Sequence, residues 1–296
     1  MKKIAAFLIL FAIMFTTSSV SVYASEQFKS IGKDSEFIDF AYENMLQQET
    51  YIVNLIAEHS GRATSLSEWK FNLAYLQEQY EKIIAISGVK KLYVDQYIED
   101  YKIVWDTEHR PTTYTNTEHS YIPYAATYSK DNAIHYANVY CKNYNSNYPN
   151  WRSYGGDCAN FVSQCLYAGG KLMHGTPGTS TEAQNWNNWF SKGNVCNTKN
   201  VSSTWRGANA FKSYWQSHTN GYSKFSSVGV DSYYYGTKGD AVSLLNSNGR
   251  AYHTLLIVGY DFNNRDFILA SHTGDTIDAK LRNYAAPGGF IIFKMN

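Results

Sequence analysis

Cys158 lies at a turn-to-helix junction, in the stretch SYGGDCANFVSQCLYAGG from Ser153 to Gly170, and is the side chain best placed to act as a nucleophile. Phe161, Val162, Cys165, Leu166 and Gly169 follow it at helical spacing, which predicts a buried helix beginning at Cys158. Unpaired N–H groups and the positive dipole end of such a helix favour an anion, so a lowered thiol pKa is expected. Asp157 is the expected N-cap, accepting from the N–H of Ala159 or Asn160. Gly155 and Gly156 turn the chain and leave space for a substrate. Downstream, His253 opens one predicted strand and His272 closes the next. If Tyr260 pairs with Arg265 across the hairpin, His253 falls directly opposite His272 on one face, as a base beside its orienter. Asp275 is the alternative orienter. Such a set would attack a carbonyl through Cys158, pass the thiol proton through His253 to a leaving amine, and release the acyl group to water. The oxyanion would rest on the Cys158 N–H and a neighbouring donor, with Tyr154, Gly156 and Asp157 as support.

The elements that must position these residues follow from periodicity. Helices are expected over Ser35 to His59, from a capping-box pattern at Ser65 to Glu68 as far as Gly88, over Leu92 to Trp105, where a strand is the alternative, and over Lys130 to Tyr144. Residues 25–106 thus read as a helical N-terminal region with no catalytic constellation, its scattered acids forming a solvated surface. Residues 107–127, with two prolines and no apolar period, read as a linker, and residues 128–296 as the catalytic domain. Within it, Gly170 to Ser226 is an insertion beside the cleft, with possible short helices at Glu182–Phe190 and Asn209–His218. Its tryptophans are expected mainly in packing. From Val228 the period changes to two. Expected strands are Val228–Tyr235, Ala241–Leu245, Tyr252–Tyr260, Phe267–His272 and Gly289–Lys294, an antiparallel meander on the Cys158 helix layer.

Residues 1–24 have two lysines, an apolar run from Ile4 to Phe15 and a Val22-Tyr23-Ala24 cleavage site, the pattern of a secretory signal peptide. The run is shorter than the roughly 20 residues a bilayer crossing needs, so no transmembrane anchor is expected after cleavage. The protein is therefore expected outside the cell, in association with the wall. Removal of Lys2 and Lys3 changes the charge balance from 26 basic and 25 acidic residues to a net of −1, which argues against nucleic acid as a partner. With 26 Tyr, 7 Trp and only 17% charged residues, the surface suits peptide or glycan contacts. The four cysteines (Cys141, Cys158, Cys165, Cys196) are expected as free thiols rather than a disulfide framework.

The segments NYPNWRSYGGDCANFVSQCLYAGG, AIHYANVY, YHTLLIVGYD and FILASHT resemble the bacterial putative amidase domain, a relative of NlpC-type and CHAP cell-wall peptidases in the papain-like superfamily. The resemblance covers about Tyr128 to Asn296. It implies an α+β papain-like core, with a helix layer on an antiparallel sheet, and Cys158 and His253 as nucleophile and base. Lys238-Gly239-Asp240 matches a Gly-Asp turn of those relatives. The expected substrate is a peptide, above all a peptidoglycan stem peptide, with no cofactor and no metal. A zinc hydrolase is the weaker reading because no H-E-x-x-H occurs, and no G-x-S-x-G supports a serine hydrolase. A glycan-binding module would keep the fold and lose nothing on replacement of Cys158. An acyl transferase would differ only in using an amine in the second step.

Overall fold

The computed structural model describes residues 39–109 and 128–296, all within one compact unit, Asp39–Asn296. The expected signal peptide and nearly all of the expected linker lie outside the described residues. The first helices are α1 (Phe40–Ser60), α2 (Trp69–Glu78), α3 (Tyr80–Ile84) and α4 (Lys91–Glu108). Asp39 caps α1: one carboxylate oxygen accepts the Tyr42 N–H at 3.0 Å and the other accepts the Ala285 N–H at 3.1 Å. Ile52, Ile56, Trp69, Leu73, Leu76, Val94, Tyr97, Tyr101 and Val104 form the apolar seam of these helices. The expected helix from Ser65 to Gly88 is broken, with a 3-10 turn at Leu66–Glu68 and a helix break at Gln79. Ser65 makes no side-chain cap bond.

Besides Asp39, two acids of this segment, Glu49 and Asp100, are buried rather than solvated, and they bind across to the sheet. Arg250 donates to Glu49 at 2.9 Å and to Asp100 at 2.6 and 2.7 Å. Tyr101 and Asn246 also donate to Glu49, and Asn209 donates to the Asp100 carbonyl. Burial opposes the Arg250 charge, but Asp100 and Glu49 outweigh it and raise its pKa. Every member of the cluster has partners, as a buried ionic network requires.

The second part contains α5 (Lys130–Tyr140), α6 (Cys158–Ala168), α7 (Ser180–Gln184), α8 (Ser203–Arg206), α9 (Ala208–His218) and α10 (Val230–Tyr235). Its strands are β1 (Gly221–Phe225), β2 (Ala241–Leu245), β3 (Ala251–Asp261), β4 (Asp266–Ser271), β5 (Thr276–Lys280) and β6 (Phe290–Lys294). Every pairing is antiparallel, in the order β1-β6-β2-β3-β4-β5. The architecture is α+β. It is not a meander, because β6 returns between β1 and β2. Val230–Tyr235, expected as a strand, is a helix, with Ser232 bonding the Gly229 backbone. Asp240, in the turn before β2, accepts from Thr237, Lys294 and Met295 and so ties that turn to the end of β6.

Helices α5, α6 and α9 cover one sheet face, where Ala241, Leu245, Leu256, Ala270, Ile291 and Phe293 meet Phe161, Val162, Cys165, Phe211 and Trp215. Trp189, Trp205 and Trp215 of the insertion belong to this core, as their area favours. The four cysteines are free thiols.

Candidate active site

Two glycines with left-handed backbone, Gly155 (φ 105°) and Gly156 (φ 131°), deliver the chain to α6. Asp157 does not cap the helix with its side chain. Its Oδ1 instead accepts the Trp151 N–H at 2.7 Å and the Asn160 side-chain amide at 2.9 Å, and its Oδ2 meets His272 Nδ1 at 2.6 Å. Asn160 also donates to the Pro149 carbonyl and accepts from Trp205 Nε1. His272 donates through Nε2 to the Tyr140 carbonyl at 2.8 Å. Its ring lies between Phe161 and Tyr144, with centroids 4.2 and 4.0 Å away. Both His272 nitrogens are therefore occupied, and the ring joins the end of β4 to α5 and to the start of α6.

The Cys158 thiol is buried at the start of α6, against the backbone N–H groups of Thr254, Ala159 and Cys158 itself. Burial pushes its pKa up to about 11 and the Asp157 charge adds to the rise, while those N–H groups oppose it without prevailing. The lowered pKa expected from the helix terminus is thus reversed by desolvation. At rest the group is a neutral thiol.

The pairing of β3 with β4 corrects the expected hairpin register. Tyr260 pairs with Phe267 rather than Arg265, and beyond a bulge Leu256 pairs with Ala270. Continued toward the start of β3, this register sets Thr254 beside His272. His253 pairs with Leu244, on the sheet face opposite the one that α6 covers. A one-residue shift moves a side chain to the other face. The orienting partner of His253 is accordingly Ser271, whose Oγ lies 3.1 Å from Nε2. Ser271 donates its own proton to the His272 carbonyl at 2.7 Å, so the hydrogen of the His253 contact belongs to Nε2. His253 Nδ1 then carries the lone pair and is buried without a partner. Burial lowers the His253 pKa to about 3, so the ring is neutral. No hydrogen bond joins Cys158 and His253 among the described residues.

Asp275, the alternative orienter, is held elsewhere: it accepts from Tyr144 at 3.0 Å and pairs with Arg152 at 3.3 Å. Tyr154 is exposed, with its ring edge-on to Trp151. Tyr154, Gly155, Gly156 and Cys158 line a cleft of about 280 Å³, whose far wall is Gln96, Glu99 and Asp100 of α4, with Arg250 and Tyr252. A side cavity of about 30 Å³ places Cys158 beside Ala41, Met45, Gln96 and Thr273. The larger space of about 1160 Å³ between α4 and Trp186 shares Asp95, Glu99 and Gln184 with the cleft but does not reach Cys158. Gln96, Arg250 and Ser271 carried no sequence signal, since a lone polar residue on a helix, in a turn or at a strand end reads as solvated.

Residues 127–290 match the family described as putative amidase domain, more than half of the chain. A curated relative, the uncharacterized protein YhbB of Bacillus subtilis (strain 168), is 27% identical over 159 residues, which make up 53% of this chain and 44% of that protein. The chain thus spans less than half the length of this relative. No solved structure matches.

Proposed function

Since the chain belongs to the putative amidase domain family, a description that suggests amide hydrolysis, we propose that it is a secreted cysteine amidase cleaving peptide bonds, with peptidoglycan stem peptides as substrate. The observation that carries this reading is the Cys158 thiol, lying in a cleft at a helix start against three backbone N–H groups. His253 is the neighbour in sequence of Thr254, whose N–H meets that thiol, and its Nδ1 has an unshared lone pair. The secretory pattern of residues 1–24 is what supports a site of action outside the cell.

In this mechanism sulfur attacks the carbonyl carbon as the thiol proton passes to His253 Nδ1. A neutral thiol and a neutral imidazole make this general-base catalysis rather than attack by a preformed thiolate. The carbonyl electron pair moves to oxygen and is held by the local N–H groups. It returns as the C–N bond breaks, and the amine leaves with the proton from His253. Water then attacks the thioester, one of its protons passing through His253 to the departing sulfur, and free acid and thiol are restored. In the resting geometry His253 is on the far face of its strand, so the transfer requires the bulge at Tyr252, where Leu244 and Leu245 pair with His253 and Ala251, to re-aim the ring.

Incubation of the mature chain with purified cell wall and with unstructured peptides, followed by mass analysis, tests the reading. New amine and carboxyl ends that vanish with Cys158→Ala support it. Wall binding without new ends, unchanged in that variant, would make the protein a binding module instead.

A further inference from the structure

Two buried polar atoms without partners converge on the cavity beside Cys158. One is Gln96 Oε1, from α4, and the other is Thr273 Oγ1, from the β4–β5 turn. They flank the Gly155-Gly156 turn. A Cβ on Gly155 would stand 2.9 Å from Gln96 Oε1, and one on Gly156 would stand 3.5 Å from Thr273 Oγ1. The glycines therefore leave bare the space that these two oxygens face. Thr273 has φ 68°, a costly conformation for a β-branched residue, followed by Gly274 at 100° and Asp275 at 46°. The bonds of Asp275 to Tyr144 and Arg152 hold this turn in place. One turn beyond Gln96, Asp100 fastens α4 to Arg250, so the carboxamide stands on an anchored wall.

A buried acceptor left unmet in a cleft is matched by a ligand that brings a donor. We propose that Gln96, which lines both the cleft and the side cavity closed by Thr273, is a substrate-positioning residue that holds the main chain of an extended peptide beside the bond facing Cys158, its Oε1 accepting a substrate amide N–H. This rests on the reading of Cys158 as nucleophile. Gln96 precedes the matched residues 127–290. Peptide selection is therefore a property of the helical segment, added to chemistry housed in the family domain.

The test uses the full mature chain and compares Cys158 alkylation by two reagents at one alkaline pH: iodoacetamide, and a blocked dipeptide chloromethyl ketone that presents main-chain N–H groups. In the native protein the dipeptide reagent should react preferentially at Cys158. Gln96→Leu keeps the size but removes the acceptor. It should slow the dipeptide reagent about tenfold, the loss of one hydrogen bond to substrate, and leave the iodoacetamide rate nearly unchanged. Gln96→Glu keeps an acceptor and should restore most of the preference, which a merely structural role would not produce. Thr273→Ser, which keeps the hydroxyl, should also retain it. Equal slowing of both reagents in Gln96→Leu, or no slowing of either, overturns the inference while leaving the nucleophile reading standing. Failure of both reagents to label Cys158 in the native chain overturns that reading, and the inference with it.

Discussion

Cys158 is a buried, neutral thiol, so the proposed attack needs its proton to be taken as the bond forms. With its pKa pushed up to about 11, the thiolate fraction rises about tenfold for each unit by which the pH is raised toward that value. Iodoacetamide labelling of Cys158, followed by peptide mass mapping, should therefore accelerate steadily from neutral to strongly alkaline pH. A rate already at its plateau near pH 7 would mean that the N–H groups outweigh burial. Cys141 and Cys165 are likewise raised by burial and should label only on unfolding.

The two histidines separate by the same kind of argument. If His253 is the base, His253→Ala should abolish turnover, with a loss of thermal stability from one hydrogen bond and the cavity left by its buried ring that is smaller than that of His272→Ala. His272→Ala strips Asp157 and the Tyr140 carbonyl of a buried partner and should cost roughly 3–5 kcal/mol of stability. Activity and thermal melts measured together distinguish the roles. Full stability in His272→Ala would show that the Asp157 contact is not a structural pin.

At the scale of elements, the positions that matter are those where strands close on one another. Gly288 lies just before β6, and a Cβ there would collide with the Asn246 carbonyl oxygen, backbone that cannot swing aside. Its N–H also donates to Leu245 at 3.0 Å. Gly288→Ala should therefore destabilise the protein by at least about 1–3 kcal/mol in denaturant melts, through forced separation of β6 from the β2–β3 turn. An unchanged midpoint would mean that the turn has slack. The bulge in β3 has a different consequence. It sets Tyr252 toward the cleft and Thr254 toward the α6 face, and so decides which backbone N–H the thiol meets.

At the scale of the molecule, the helical segment and the sheet share a charged core. Arg250→Met leaves Glu49 and Asp100 buried without their cation, and a loss of about 3–5 kcal/mol is expected. A chain beginning near Tyr121 strands Arg250, Asn246 and Asn248 in the same way and also removes the α4 wall of the cleft. Its expected outcome is poor solubility and lost peptide selection, read by gel filtration and by the alkylation comparison. A stable, fully selective fragment would show that the cluster is dispensable.

The helix at Cys158, the change of period from 3.6 to two and most of the hairpin strands were legible in the amino-acid order, because each is written in residues a few positions apart. Cys158 was marked out in the same way, by the glycine turn and the apolar face around it. The β3–β4 register was not legible, since the hairpin pairs Tyr260 two residues beyond Arg265 and a bulge then takes one residue back, and no local pattern records either step. That shift took His272 from His253 to Asp157 and gave Ser271 to His253 instead. The thiol pKa was not legible either: helix-end N–H groups are a local property, whereas desolvation depends on everything folded over the sulfur. Nor was the part played by the helical segment, because Arg250 meets Glu49 across 201 positions and the polar residues of helices look solvated until their neighbours are known. Sequence by itself singled out Cys158 and the two histidines as candidates. Tertiary structure decided which of them meet, because register and burial are set by contacts between distant segments of the chain.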